Sequence, residues 1–302
     1  MAKQLTSKNT FLINSAAVPG ATDVITTNEF VFVNPQAKSV ETKDIGNGQL
    51  GNSKTVTIPD WTTAEFDVSV NARTSGTAGT APAYAALFKA VGLAETVDTT
   101  NNTVMYAPGG TPVGIAKNYT DGAVRQIEGI AGDLKFSGNV GEIAKFTFSL
   151  KGFTDLSETA EANPAVTLDA NQNLIVTSAT AITVGGGSIA LQEFEFTLGN
   201  EIQESYGIGV KEFYISDFKP TIAVKAIKTK GNAAHWDDLK NNTIKEVIVT
   251  LGGTAGNTIT FTASYCNPKE VSESDDNGEV VYNQTWECQS NAGNDNFSIV
   301  YS

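Results

Sequence analysis

Apolar and polar residues alternate with a period of two along much of this chain, and the pattern recurs. In Glu29-Phe30-Val31-Phe32-Val33 the phenylalanines and valines take opposite sides, which predicts a strand over 28–34 with both faces partly covered. After a polar loop, Phe66, Val68 and Val70 face one way and Glu65, Asp67 and Ser69 the other. Much later Glu193-Phe194-Glu195-Phe196-Thr197 and then Thr221-Ile222-Ala223-Val224-Lys225-Ala226 repeat this order. Each second strand leads through a glycine-containing loop into a short helix, 81–90 in one half and 233–240 in the other. Each half closes on a further strand that begins at a glycine, Gly141 or Gly278.

The first helix is expected to start at an N-cap, Thr80, with Pro82 in its first turn, and to close at Gly92. Tyr84, Leu87, Phe88 and Val91 form its apolar stripe, read as core packing. Residues 1–24 read as irregular. Residues 54–58 and 64–72 read as two strands, followed by strands near 103–107, 124–130 and 142–153. Further strands fall near 165–168, 173–177, 189–197, 211–216, 220–228, 244–250, 257–265, 279–288 and 296–301. Asn277-Gly278 and Gly185-Gly186 are hairpin-turn signals. The polar run 155–164, ending in Asn163-Pro164, is the candidate boundary. The expectation is a mostly β chain of two tandem β-sandwich or barrel units, 1–160 and 161–302, each with one short flanking helix.

The segment 35–54 is polar, contains Asn47-Gly48, and is long for a plain connection, so it reads as an extended hairpin arm. It has few apolar residues with which to pack alone. Asn34, Gln36, Lys43, Asn47 and Gly48 are its candidate assembly residues.

Charge narrows the function. The chain of 302 residues carries 33 acidic against 20 basic residues, a net −13, which disfavours a nucleic-acid-gripping surface. Either a solvated acidic exterior or a negative wall along which a polyanion slides fits that balance. Three lysines in 225–230 are the one basic cluster. Catalytic and metal chemistry find little material. His235 is the single histidine, so no Ser/His/Asp or Cys/His set can be assembled. The spacing of Asp169, Asn171 and Asn173 resembles a calcium loop, but Leu174 and Thr180 stand where it requires Gly and Glu. No cofactor or metal is expected. Cys266 and Cys288 flank a hairpin and could lie opposite one another, as a disulfide or, in a reducing cytosol, as two packed thiols. Met1–Thr10 lacks the apolar core of a secretion signal, and no apolar run reaches membrane length.

Four segments in this order resemble the major tail tube proteins of long-tailed (siphovirus-type) bacteriophages, over about 20–302. They are the strand and polar arm from Glu29 to Gly48; the strand, Gly-rich loop and helix from Glu65 to Leu93; Tyr119 to Leu134, leading to the Gly141 strand; and Ile189 to Ile202 with Tyr214 to Pro220. The resemblance implies a structural virion protein whose sheets join between subunits into an inner barrel, in rings stacked as a hollow tube for DNA delivery. It implies the phage tail as location, assembly in the host cytoplasm, and tape measure and tail terminator proteins as partners. Single-unit members would form hexameric rings. The doubled pattern here favours a trimer with pseudo-sixfold symmetry, with the hexamer as alternative. In such a tube Glu65 and Asp67 are the candidate lumen-facing acids, and DNA passes without tight binding. An adhesin- or fibre-like β protein and a carboxylate-based hydrolase are the other readings.

Overall fold

The computed structural model describes residues 4–43, 53–166, 169, 171–177, 180–231 and 233–302. The chain is mostly β. In order it forms β1 (Asn9–Asn14), β2 (Val24–Ile25), β3 (Asn34–Lys43), β4 (Ser53–Asn71), α1 (Ala85–Ala90), β5 (Leu93–Asp98), β6 (Thr103–Pro108), β7 (Ile115–Thr120), β8 (Ala123–Asn139) and β9 (Lys145–Thr154). There follow β10 (Thr159–Ala160), β11 (Ala181–Val184), β12 (Gly187–Ser188), β13 (Leu191–Thr197), β14 (Asn200–Gly207), β15 (Val210–Phe218) and β16 (Thr221–Ile227). Then come α2 (Ala234–Asn241), β17 (Lys245–Thr254), β18 (Asn257–Asp276), β19 (Glu279–Cys288) and β20 (Ser298–Tyr301).

Eight strands ladder side by side, all antiparallel, in the order β3, β4, β9, β8, β13, β16, β19, β18. The pairing β4–β9–β8 in the first half is followed by β16–β19–β18 in the second, and α1 and α2 each follow the first strand of their set. The β8–β13 ladder, Glu193↔Asn139 to Thr197↔Lys135, carries the sheet from one half into the other. A second layer is formed by β5, β6, β20, the first half of β18, β17 and β11. Here too the halves meet, because β20 pairs with both β6 and β18.

Two long strands, β8 and β18, each carry a bulge, and β18 serves both layers; their sequences supply the bend. In β8 the register shifts between Glu128 and Ala131, where Gly129 sits at φ +60°. In β18 it shifts between Pro268 and Glu270. A bulge increases twist and leaves a backbone group unpaired, which suits a left-handed glycine or a proline without N–H. Each strand pairs with its neighbour in the eight-stranded sheet on both sides of its bulge, β8 with β9 and β18 with β19.

Between the layers lies an aromatic core. Phe66, Val68, Phe146, Phe148, Phe136, Phe194, Phe196 and Trp286 project from the eight-stranded sheet and are buried. Phe88 of α1 fills the centre, with its ring 4.5 Å from Tyr106, 5.3 Å from Phe146 and 5.5 Å from Phe148. Tyr84 and Tyr301 share a hydroxyl hydrogen bond of 3.1 Å there, and burial raises both phenols well above their ordinary range.

Several sequence expectations need correction. Residues 28–33 form no strand; β3 begins at Asn34, although Val31 is buried as an inward position should be. The pieces 54–58 and 64–72 are one strand, β4, which passes Pro59 as a bulge opposite Lys38. The region 1–24 contains β1, which ladders with β7. Thr80 is not the cap of α1. The chain turns at Thr77–Thr80 and again at Pro82, and the helix starts at Ala85 after Tyr84, whose hydroxyl donates to the Arg73 carbonyl instead. Gly92 closes α1 at φ +80° as expected. The described parts of 165–168 and 173–177 are not strands; Asn173 and Ile175 make isolated bridges. Cys266 and Cys288 do face each other, as free buried thiols 3.9 Å apart.

Two carboxylates fix helix α2, its own Asp238, paired with Lys245 at 2.6 Å, and Glu273. Glu273 on β18 accepts hydrogen bonds from Lys228 Nζ (2.7 Å), Trp236 Nε1 (2.6 Å) and His235 Nε2 (2.8 Å), while the His235 ring stacks on Tyr282 at 4.4 Å. Lys228, then His235 and Trp236, hold the Glu273 carboxyl down at about 2, against an ordinary 4.5.

Two outcomes follow from this packing. Phe88→Ala should lose about 3–5 kcal/mol in urea unfolding, since it empties a site walled by both layers; a loss below about 1 kcal/mol would contradict the central role given to α1. Because Glu273 is more acidic folded than unfolded, its contribution is present above pH 4.5 and vanishes as pH falls through about 2. Thermal melts across that window should show a shallower acid loss for Glu273→Gln than for the parent chain. Parallel curves would remove Glu273 from the account.

Candidate functional site

Register fixes which side chains share the outer face of the eight-stranded sheet. Directly paired residues point the same way. From Glu65↔Lys151 and Asp67↔Ser149 on β4 and β9, pairing leads to Ser149↔Asp133 and Thr147↔Lys135 on β8. From β8 it leads to Ser137↔Glu195 and Asn139↔Glu193 on β13, then to Lys225 on β16 and Glu287 on β19. The inner face is phenylalanine-rich; this one is charged. Acids Glu65, Asp67, Asp133, Glu193, Glu195, Glu270 and Glu287 outnumber Lys135, Lys145, Lys151 and Lys225 on it.

Several lysines are neutralised in place. Lys151 pairs with Glu65, Lys135 with Glu195, and Lys225 with Asp276, each at 2.7 Å. Lys228, in the chain's basic cluster, is held by Glu273. Asp67 accepts a 2.7 Å hydrogen bond from Ser149 Oγ. Burial raises the Asp133 carboxyl above its ordinary range, against the pull of N–H donors led by Asn200. The face is hollowed. An open trough of about 770 Å³ runs over Glu65, Asp67, Ser149 and Lys151, and a second of about 360 Å³ over Lys135, Ser137, Glu193 and Glu195.

The sequence-derived lumen candidates Glu65 and Asp67 thus stand together on this outer face. The acids Asp133, Glu193 and Glu195 were missed, although Glu193 and Glu195 alternate with Phe194 and Phe196 and carry the same period-two signal. The arm candidates separate. Asn34, Gln36 and Lys43 are exposed on β3, which pairs with β4 as far as Lys43↔Ser53; Asn47 and Gly48 lie outside the described residues. The arm thus begins as the expected hairpin. Val40 and Val56 face each other on it, 50% and 57% exposed. At its base Trp61 lies under Lys38 Nζ (3.5 Å) and stacks on Tyr206 at 4.0 Å. Through this contact the β14–β15 hairpin covers one end of β8 and β9, with Phe213 on Phe153.

Both ends of the ladder are open. Among the described residues β3 pairs only with β4, and the last part of β18, Val271–Asp276, pairs only with β19. Phe32, just before β3, is 60% exposed with its ring 5.5 Å from Phe30. An unpaired edge beside exposed aromatics is a template for another strand.

No group of three or more His, Cys, Asp or Glu side chains among the described residues is placed to hold a metal ion. No described helix is long and apolar enough to cross a membrane.

Comparison with curated proteins gives no match. A family model described as phage tail tube protein matches residues 6–288, nearly the whole chain. The chain, mostly β throughout, belongs to the phage tail tube protein family.

Proposed function

We propose that this chain is the repeating subunit of a hollow phage tail tube, polymerising into stacked rings through which DNA is delivered to the host. The observation that carries the reading is the eight-stranded sheet, open at both ends, with one apolar and one hollowed acidic face. Closing such sheets edge to edge around an axis removes every open edge and leaves a wide channel. The acidic face then lines the channel, with Glu65 and Asp67 among its lumen-facing acids, and repels phosphate rather than binding it. The role is structural, without catalysis.

Two units per chain, about 1–160 and 161–302, support a ring of three chains with pseudo-sixfold symmetry; the ordered recurrence of β4–β9–β8 in β16–β19–β18 favours it over six complete chains. The β3–β4 arm reaches a neighbouring subunit, and its exposed Val40–Val56 pair is the apolar part of that contact. Assembly takes place in the host cytoplasm and the product is part of the virion tail, where tape measure and tail terminator proteins meet it.

Native mass spectrometry and negative-stain microscopy should find rings of three chains or tubes built from them. Val40→Asp combined with Val56→Asp should leave a folded chain that polymerises poorly. A monomer under all assembly conditions would contradict the tube; rings of six complete chains would contradict the trimer alone.

Assembled tubes should show no submicromolar DNA binding at physiological salt, and Glu65→Lys with Glu195→Lys should raise affinity and steepen its salt dependence. Submicromolar binding by the unaltered tube would contradict the repelling wall.

A further inference from the structure

The junction between the two halves of one chain is a template for the junction between two chains. The partner is a second copy of this chain, so the inference rests on the ring reading above.

Corresponding positions follow from the ladders. Phe66, Val68 and Val70 face Leu150, Phe148 and Phe146 on β9; Ile222, Val224 and Ala226 face Trp286, Gln284 and Tyr282 on β19. One strand further, Phe136 lies beside Phe146, and Glu273 beside Tyr282. β8 and β18 also end alike, Asn139 before a turn closed by Gly141 (φ +88°) and Asp276 before one closed by Gly278 (φ +90°). The end of β18 thus stands in the second half where the end of β8 stands in the first. On the other side, β13 flanks β16 with Thr197 opposite Thr221, and β3 flanks β4 with Asn34 opposite Glu65. Thr221 corresponds to Glu65, so Asn34 corresponds to Thr197, and the segment before it to the rest of β13.

Within the chain, β13 lies on β8 with Thr197↔Lys135, Glu195↔Ser137 and Glu193↔Asn139. Transferring that register, we propose that Phe30–Asn34 of one chain pairs antiparallel with Ser272–Asp276 of the next, with Asn34 opposite Ser272, Phe32 opposite Ser274 and Phe30 opposite Asp276. Two features of the single chain fit. Phe30–Val33 is not laddered although Val31 already faces the core, as does the corresponding Phe194. The exposed Phe32 gains cover from the neighbouring strand. Pro35 corresponds to Leu198, whose N–H bonds the Leu134 carbonyl at 2.8 Å, so the transferred junction ends one hydrogen bond earlier than the internal one. Ring closure therefore completes a strand that the isolated subunit leaves unformed.

Cysteine pairs test the register. Opposed residues on paired strands bring Cβ atoms to about 4.5–5.5 Å, within reach of oxidation or a short bis-maleimide. Phe32→Cys with Ser274→Cys, and separately Asn34→Cys with Ser272→Cys, should give covalent oligomers ending at the trimer on non-reducing denaturing gels. The slipped pair Asn34→Cys with Ser274→Cys should give little. Ser137→Cys with Glu195→Cys, the internal equivalent, should close within one chain and calibrates yield; native Cys266 and Cys288 are buried away from all these positions. Substitution sites at the edge are exposed, and microscopy of each variant establishes whether tubes form. Tubes without in-register cross-links, or with slipped ones preferred, would overturn this junction and leave the tube reading standing. Absence of rings or tubes from the unaltered chain would overturn both.

Discussion

Backbone hydrogen bonding at the ends of the eight-stranded ladder is the constraint around which this molecule is organised. β9, β13 and β16 are laddered with a neighbour on each side along nearly their whole length. β3 and the last part of β18 have one side open among the described residues. Long open edges invite uncontrolled pairing, and this chain limits them. Pro35 interrupts donors on one edge, and a bulge at Pro268–Glu270 bends the other strand out of the second layer. What remains open is β3, Asn34–Lys43, at one end and Val271–Asp276 of β18 at the other.

The aromatic interior makes that sheet a fixed surface. Phe88 touches side chains of both layers, and β20 ties β6 to β18, so the halves cannot move apart without opening the core. β18 pairs with β17 and β20 over its first half and with β19 from Cys266 onward, so one strand belongs to both layers. A rigid curved sheet can set the angle between neighbours, which loops could not. The outer face is then free to carry charge. Its lysines are mostly spent on neighbouring acids, so its residual character is negative even where basic residues are present.

How much of this was readable in advance depended on where each strand's neighbours lie. From about residue 211 onward turns were marked, as by Asn277-Gly278, and most strands fell close to the expected places; β18, expected over 257–265, runs on to Asp276 because the polar stretch after its Pro268 bulge shows little alternation. β1 was missed because Phe11-Leu12-Ile13 is buried on both faces and shows no alternation. β14 was missed because Ile202 and Tyr206 alternate too weakly with their polar neighbours. Pro59 made one strand look like two, since a bulge that tolerates proline is invisible without the partner strand. The instructive case is Phe30–Val33, where the pattern says strand and the single chain forms none. Period-two alternation reports a side chain's two environments, not whether a ladder partner belongs to the same chain. Glu65 and Asp67 were legible as outward acids, whereas Asp133 could be joined to them only once the register of β8 against β9 was known.

In the proposed tube the acidic sheet face is the inner wall of a closed barrel made by joining copies of this ladder. A density map of assembled tubes measures this most directly. Threefold rings are expected, in which each chain contributes its eight ladder strands to one continuous barrel, with Glu65, Asp67 and Glu195 facing the channel. A map placing those carboxylates on the outer surface, or showing gaps in the barrel between β18 of one chain and β3 of the next, would contradict it.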